Sequence, residues 1–217
     1  MKKFIIFFMV ISVLLTVSCS NSGGSHEYVN IGEDTIEISF KETEEIVRDF
    51  TADKENMFSV IDSVIRTMEY YALVYSDDVK FMWKAISVML NYSAETTVDG
   101  EGIKAPVGLI YDYFSACFSG VAVLPELTED IKYDADSNIC TVQKITGINY
   151  NDTKAEITDF IDNGDEKTYT VYADYINTSN NEIINRYIFT LIKNPASPRY
   201  TKQNFAYSVT SAIIPVF

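Results

Sequence analysis

The chain has 217 residues and a formal net charge of −14, from 17 Lys and Arg against 31 Asp and Glu. A surface this acidic repels the phosphates of nucleic acids, so the composition excludes nucleic acid as an expected partner. The length suits one domain of ordinary size or two small ones.

The N-terminus has the pattern of a secretory signal peptide. Lys2 and Lys3 supply a short positive segment, and a run of mostly apolar residues follows over 4–17. A helix that spans a bilayer needs about twenty apolar residues, so this run is short for a permanent span. It is typical of the hydrophobic core of a signal peptide, with the small residue Ser18 before the cut. We therefore assign 1–18 to a signal peptide.

The end of that run resembles the signal of bacterial lipoproteins, in which two small residues precede a cysteine. The matching residues are Thr16, Val17, Ser18 and Cys19, and Thr16 stands where that family usually has leucine. The resemblance implies that Cys19 carries a diacylglycerol and becomes the mature N-terminus. The chain would then be lipid-anchored on the outer, extracytoplasmic side of the cell membrane, with the membrane as its first partner. The alternative is an ordinary secretory signal or an uncleaved anchor.

Residues 19–33 are polar and contain glycine, which predicts a flexible linker between Cys19 and a single α+β domain over 34–217. The linker contains His26, the one histidine of the chain. A general base or a metal ligand must be held in fixed geometry. A histidine in a flexible linker is not held in this way, and the predicted domain contains no other. The sequence therefore excludes serine–histidine triads, cysteine–histidine dyads and histidine-based zinc sites in the domain.

The domain begins with a short predicted strand over 35–40 and a helical piece over 42–50. Apolar residues at spacings of three and four then predict helices over 53–75, 79–90 and 105–120. The polar, glycine-containing stretch 95–104 between the last two helices is predicted to be a loop.

After residue 125 the apolar period changes to two, which predicts antiparallel strands. The stretches 134–138 and 162–165 are predicted hairpin turns, the second on the strength of Asn163-Gly164. The strand over 183–193 has apolar residues on both faces and is predicted to be central and covered on both sides. The predicted fold class is α+β, with N-terminal helices packed on a C-terminal antiparallel β-meander.

This order of elements is similar to the cystatin-like cone of the nuclear transport factor two-like superfamily. The resemblance rests on element order over 54–213 and implies a pocket between the helices and the concave face of the sheet. Four aromatic residues are then candidate ligand-binding residues: Trp83, Tyr113, Tyr169 and Tyr187. Each of them is also explained as a core residue.

Cys117 and Cys140 are a candidate disulfide pair if Cys19 is lipidated. A disulfide is chemically allowed outside the membrane. Cys117 falls in a predicted helix and Cys140 in a predicted strand, and each is equally consistent with a small buried hydrophobic residue.

The acidic residues suggest two further kinds of site. The stretch 134–138 copies the first five positions of an EF-hand calcium loop, but Ile139 stands where glycine is needed and Ile145 where the bidentate glutamate belongs. An Asp- and Asn-rich turn needs no metal, so no metal site is assigned. Paired carboxylates can hydrolyse glycosides when one of them is buried. The acid pairs of this chain fall in predicted turns or on polar helix faces.

Three functions remain open. The first is a non-catalytic, lipid-anchored module that binds a small apolar ligand or a protein partner. The second is a hydrolase of the cell envelope that uses carboxylates or tyrosines. The third is a structural or regulatory envelope lipoprotein. No catalytic residue and no cofactor are assigned.

Overall fold

The computed structural model describes residues 24–31, 34–41, 48–100, 102–121, 124–148, 151–165, 167–196 and 200–216, the first two ranges by their backbone alone. The predicted signal peptide, Cys19 and most of the predicted helical piece over 42–50 lie outside these residues. Residues 48–50 of that piece are not helical. In the described part, no helix combines the length and the apolar character needed to cross a membrane.

The fold is α+β, as predicted, with the main sheet following the helices along the chain. The helices are α1 (Lys54–Tyr71), α2 (Val79–Asn91) and α3 (Val107–Cys117). The strands are β1 (Gly24–Ile31), β2 (Asp34–Lys41), β3 (Thr97–Asp99), β4 (Gly102–Pro106), β5 (Lys132–Asp134), β6 (Ile139–Gln143), β7 (Thr153–Asp162), β8 (Thr168–Asn177), β9 (Ile183–Lys193) and β10 (Tyr207–Ile213).

The helix boundaries follow from capping chemistry. The carboxylate of Asp53 accepts a hydrogen bond from the Asn56 backbone N–H at 2.8 Å and starts α1. Ala72 ends α1 in the left-handed region, at φ 51°. Asp78 starts α2 by accepting from the Lys80 backbone N–H at 2.9 Å. Side-chain caps of this kind satisfy backbone donors that the first helical turn leaves without partners.

The main sheet is an antiparallel meander with the strand order β10-β9-β8-β7. The predicted Asn-Gly hairpin joins β7 to β8, and Gly164 adopts φ 85°, a conformation that favours glycine. Strand β9 is interior to the sheet, as predicted. Helix α1 lies against β7 and β10, and α3 lies against β10, so these two helices pack on the sheet, while α2 packs on α1, α3 and β4.

A second antiparallel sheet has the order β3-β4-β6-β5. The loop predicted over 95–104 is therefore wrong where β3 and β4 form. Ile103 and Ala105 are buried in β4 while Lys104 between them is exposed, so β4 is a short half-buried strand whose stability depends on its partner β6. Gly102 permits the close approach of the two strands, since a Cβ there would lie 2.7 Å from Thr141 Cγ2.

The linker predicted over 19–33 is wrong over Gly24–Ile31, which forms β1 and pairs with β2 in register from Gly24–Lys41 to Ile31–Asp34. Tyr28, Val29 and Ile31 favour extended backbone, and pairing satisfies the hydrogen-bonding groups that a lone strand would leave to water. His26 is consequently part of a strand. The prediction that His26 lies in a flexible linker is therefore wrong.

One hydrophobic core joins the helices to the main sheet. Its largest fully buried side chains include Trp83 and Leu90 of α2, Phe114 of α3, and Tyr187 and Phe189 of β9. Trp83 and Phe114 meet edge to face with ring centroids 4.8 Å apart. The space between the helices and the sheet is thus filled with side chains, where the cystatin-like resemblance implied a pocket.

Candidate functional site

The four aromatic residues predicted to bind a ligand are all core residues. Trp83, Tyr113, Tyr169 and Tyr187 are at most 4% exposed. They do not line a shared cavity. Trp83 borders a depression beside α2, and Tyr113 borders another between the helices. Tyr169 packs edge to face on Tyr207, with ring centroids 5.4 Å apart. Sequence reasoning could not separate these roles, because buried aromatics serve cores and ligand pockets equally well.

The hydroxyl groups of Tyr187 and Tyr113 form hydrogen bonds inside the protein. The Tyr187 hydroxyl donates to the Glu69 carboxylate, which also accepts from the Asn185 amide at 2.6 Å. Burial, followed by the adjacent Glu69 carboxylate, raises the pKa of Tyr187. The Tyr113 hydroxyl donates to Ser93 Oγ at 2.7 Å. These tyrosines hold helices to strands and loops, and neither presents a free polar atom for a ligand.

The candidate disulfide is not formed, and Cys117 and Cys140 are both free, buried thiols. Cys117 lies at the C-terminal end of α3, with Sγ 3.5 Å from the Met89 sulfur. Cys140 pairs with Ala105, just before the N-terminal end of the same helix. Eleven helical residues separate these ends by about 15 Å. A disulfide needs Cα atoms within about 7 Å.

We expect neither thiol to react with a maleimide in the native protein, because the thiolate is the reactive form. Burial raises the pKa of both Cys117 and Cys140 to about 12. Mass spectrometry after labelling should show no adduct at either residue without denaturant and two adducts in guanidinium without reductant. Failure to label in guanidinium until a reductant is added would contradict the free thiols.

The carboxylates of the two predicted hairpin turns, 134–138 and 162–165, accept hydrogen bonds within those turns. Asp134 accepts from the Asp136 backbone N–H at 3.1 Å and from the Ser137 hydroxyl at 2.6 Å, so the stretch that copies a calcium loop is the turn between β5 and β6. Asp162 and Asp165 accept from backbone N–H groups of the hairpin between β7 and β8. Among the described residues, no group of three or more His, Cys, Asp and Glu side chains is placed to hold a metal ion.

A buried ion pair was missed by the sequence analysis. Arg66 Nε lies 2.9 Å from both carboxylate oxygens of Asp62, one turn earlier on α1. The same guanidinium donates to the Thr153 backbone carbonyl at 3.3 Å, which ties α1 to β7. Burial raises the pKa of Asp62 while its bond to Arg66 opposes that rise. The spacing of four residues is visible in the sequence, but burial of the pair depends on β7.

The outer face of the main sheet, opposite the helices, is the candidate interaction site. Its residues alternate along each strand with the buried ones. The apolar and hydroxyl-bearing part of the outer face consists of Ile161, Thr170, Tyr172, Ile188, Thr190, Ile192, Ser211 and Ile213. Beside it on the same face lie the charged residues Lys154, Glu156, Asp159, Asp174 and Arg186.

Cross-strand register aligns these residues into continuous rows. Tyr172 of β8 is opposite Ile188 of β9, and Ile188 is opposite Ile213 of β10. Side chains directly opposite each other on one face are in contact range. Ile161 and Ile213 are 49% and 54% exposed at the two edges of the face. The result is an aliphatic and threonine-rich surface that runs across all four strands.

A shallow depression of about 530 Å³ adjoins this surface, and Tyr187, one of the four predicted ligand-binding residues, is part of its lining. Tyr172, Ile188 and Pro215 supply its apolar lining, and Asp159 and Arg186 border it. Arg186 is 3.7 Å from Asp174, whereas no described cation lies within 4 Å of Asp159. The depression is therefore apolar at its centre and slightly acidic at its border.

The prediction that β9 is covered on both sides is not met by the described residues, because Ile188 and Ile192 remain partly exposed. The alternation of Ile184, Ile188 and Ile192 was a visible signal for an apolar outer face. The contributions of Tyr172 and Ile213 were not visible, because they depend on the register between strands.

No protein-family model matches the chain, and no curated protein and no solved structure matches it significantly. The candidate site is consequently defined by its own geometry.

Proposed function

We propose that this chain is a lipid-anchored, extracytoplasmic module that binds a protein partner through the outer face of its main sheet and performs no catalysis. The observation that carries the proposal is the apolar outer face, which the described residues leave open to solvent. Contiguous exposed apolar surface on a folded domain marks an interaction site more often than scattered apolar residues do. The lipoprotein-like sequence ending at Cys19 supports the placement at the membrane.

The size of the outer face fits a small protein interface. Four strands about 4.8 Å apart and about 34 Å long give the whole outer face, its charged residues included, a footprint of roughly 650 Å². A stable interface of standard size buries about 800 Å² on each partner. The apolar rows therefore supply the centre of such an interface, and the charged residues of the same face, Lys154, Glu156, Asp174 and Arg186, supply part of its rim.

The negative charge of the chain indicates that the partner surface is basic at its rim. The net charge is −14, and Asp159 and Asp174 border the depression on the outer face. Two copies of the chain would repel each other, so a second copy is a poor occupant. The partner surface that fits is apolar at its centre and carries Lys or Arg at its rim.

A small apolar ligand receives less support. The space between the helices and the main sheet is filled by the core, and the aromatic residues that would have walled a pocket are buried in it. Asp162 and Asp165, one of the acid pairs considered for hydrolysis, accept hydrogen bonds from backbone N–H groups of their own hairpin. These contacts support binding by a surface in preference to binding or catalysis in a cleft.

Photo-crosslinking in intact cells of the source organism tests the proposal. A photoreactive amino acid at Ile213, on the outer face, is expected to give one discrete adduct with another protein. The same amino acid at Val74, 76% exposed between α1 and α2, is expected to give none. Ile188→Glu should abolish the Ile213 adduct, because it places a charge at the apolar centre, while Val74→Glu should leave it unchanged.

Three controls test whether a lost adduct reflects the outer face, the folding of the variant or the membrane anchor. Circular dichroism establishes that Ile188→Glu folds, and Ile161→Glu, at an exposed edge position, serves as a second variant. Cys19→Ala should release the chain from the membrane fraction and remove the adduct. Equal adducts at Val74 and Ile213, adducts of the chain with itself, or no adduct from membrane-bound chain would each overturn the proposal.

A further inference from the structure

A second cavity lies away from the outer face of the main sheet, beside α2. Its volume is about 480 Å³, within the range of about 300–1,000 Å³ that small-molecule sites occupy. Helix α2 forms one wall, the segment 127–131 forms the opposite wall, and Tyr71 at the end of α1 closes one side. Of the four aromatic residues predicted to bind a ligand, Trp83 lines this cavity.

The two walls have opposite charges. Lys80 and Lys84, one turn apart on α2, both line the cavity, and Glu129 and Asp130 line it from the other wall. Within the described part of the chain, neither lysine lies within 4 Å of a carboxylate. Two lysines four residues apart on a helix repel each other mildly, which the fold tolerates here without a compensating ion pair.

Both walls are held in place by contacts that do not involve their charges. The Trp83 indole N–H donates to the Glu126 carbonyl at 2.9 Å, which fixes the start of the acidic wall against α2. The Ile131 backbone N–H donates to the Thr128 carbonyl at 2.9 Å and closes a turn around Glu129 and Asp130. The Lys84 ammonium itself lies 4.4 Å from the centroid of the Tyr71 ring, which holds that charge at one side of the cavity. Lys80, Glu129 and Asp130 are exposed side chains on these fixed backbones.

We propose that this cavity binds a zwitterion, a free amino acid or a short peptide, with its carboxylate at Lys80 and Lys84 and its ammonium at Glu129 and Asp130. A cavity with opposite charges on facing walls is complementary to a ligand that carries both charges at its ends. Hydrogen bonds to charged groups are stronger than neutral ones and fix the orientation of the ligand. The Tyr71 ring and Ser87 offer an apolar and a polar contact to the part of the ligand between its charges.

Trp83 reports directly on this cavity, since it lines the cavity and is the one tryptophan of the chain. The full chain is titrated with a mixture of amino acids and, separately, with trialanine, while Trp83 fluorescence and its indole N–H resonance are recorded. We expect a saturable change with at least one of these probes. Trialanine acetylated at its N-terminus and trialanine amidated at its C-terminus lack one charge each, and both are expected to bind at least tenfold more weakly.

Variants connect the binding to the charged walls. Lys84→Met and Asp130→Asn should each weaken binding of the responding probe at least tenfold. Lys104→Met, which removes a lysine paired with Asp99 on the second sheet, should leave it unchanged. A response to amino acids alone identifies a free amino acid as the ligand, and a response to trialanine alone identifies a peptide. No response to either at millimolar concentration, equal binding of the capped peptides, or an equal loss in Lys104→Met would overturn the proposal, whatever the outcome at the outer face.

Discussion

Replacing Arg66 with methionine is expected to lower the free energy of unfolding by about 3–5 kcal/mol, the usual cost of removing one partner of a buried ion pair. Arg66 is 4% exposed, and its loss leaves the Asp62 carboxylate in the interior without its cation. It also removes the guanidinium contacts to Thr153 that join α1 to β7. Urea denaturation followed by circular dichroism measures the change.

Two control variants separate the buried charge from a general loss of packing. Lys154→Met removes an exposed ion pair with Glu156 and is expected to cost less than about 1 kcal/mol. The double variant Asp62→Leu, Arg66→Met removes both buried charges and should lose less than the sum of the two single changes. An Arg66→Met variant as stable as Lys154→Met would show that the pair does not hold α1 to the sheet.

Alkaline pH is expected to destabilise the fold steeply, beginning near pH 9. Burial raises the pKa of Cys117 and Cys140 from 9.0 to about 12. It also raises the pKa of Tyr75 and Tyr113 above the ordinary tyrosine value of 10.0. Between pH 9 and about pH 12 the two thiols of the unfolded chain have lost protons that they keep in the folded protein. Stability therefore falls as the pH rises, by about 1.4 kcal/mol per pH unit for each such group.

Urea midpoints measured at a series of pH values above 8 test this expectation. Exposed tyrosines ionise in the folded protein, but the part of the tyrosinate absorbance that comes from Tyr75 and Tyr113 should appear only together with the loss of circular dichroism. Cys117→Val removes one buried thiol while keeping an apolar side chain, so its stability should fall less steeply between pH 9 and 12. Tyr75 and Tyr113 titrating near pH 10 in the folded protein would contradict the expectation.

The helices and the meander were predictable because their signals are local. Apolar spacing of three and four, with Asp53 and Asp78 before the helices, was sufficient for α1 and α2. Period-two alternation and Asn163-Gly164 were sufficient for the hairpin of β7 and β8. The first helix was predicted to extend to residue 75 but ends at Tyr71. Ala72 adopts a left-handed conformation there, which alanine does not usually favour, so the sequence contains no signal for this end.

The strands β1, β3 and β4 were missed because each depends on a partner. A strand of three to eight residues with few apolar side chains has no local advantage over a loop until another strand satisfies its backbone. The division of the strands into three sheets was missed for the same reason. Residues 132–143 extend neither edge of the meander, because β6 pairs with β4.

The sequence by itself determined the α+β class, the acidic net charge, the first two helices and the change to strands after residue 125, while the N-terminal anchor stays a prediction. These follow from composition, periodicity and short capping or turn signals, each of which acts over a few residues. Only the tertiary structure decided which aromatic residues are core and which face solvent, that Cys117 and Cys140 remain apart, and that Lys80 and Lys84 face Glu129 and Asp130. Those relations depend on strand register and helix packing, which bring together side chains tens of residues apart.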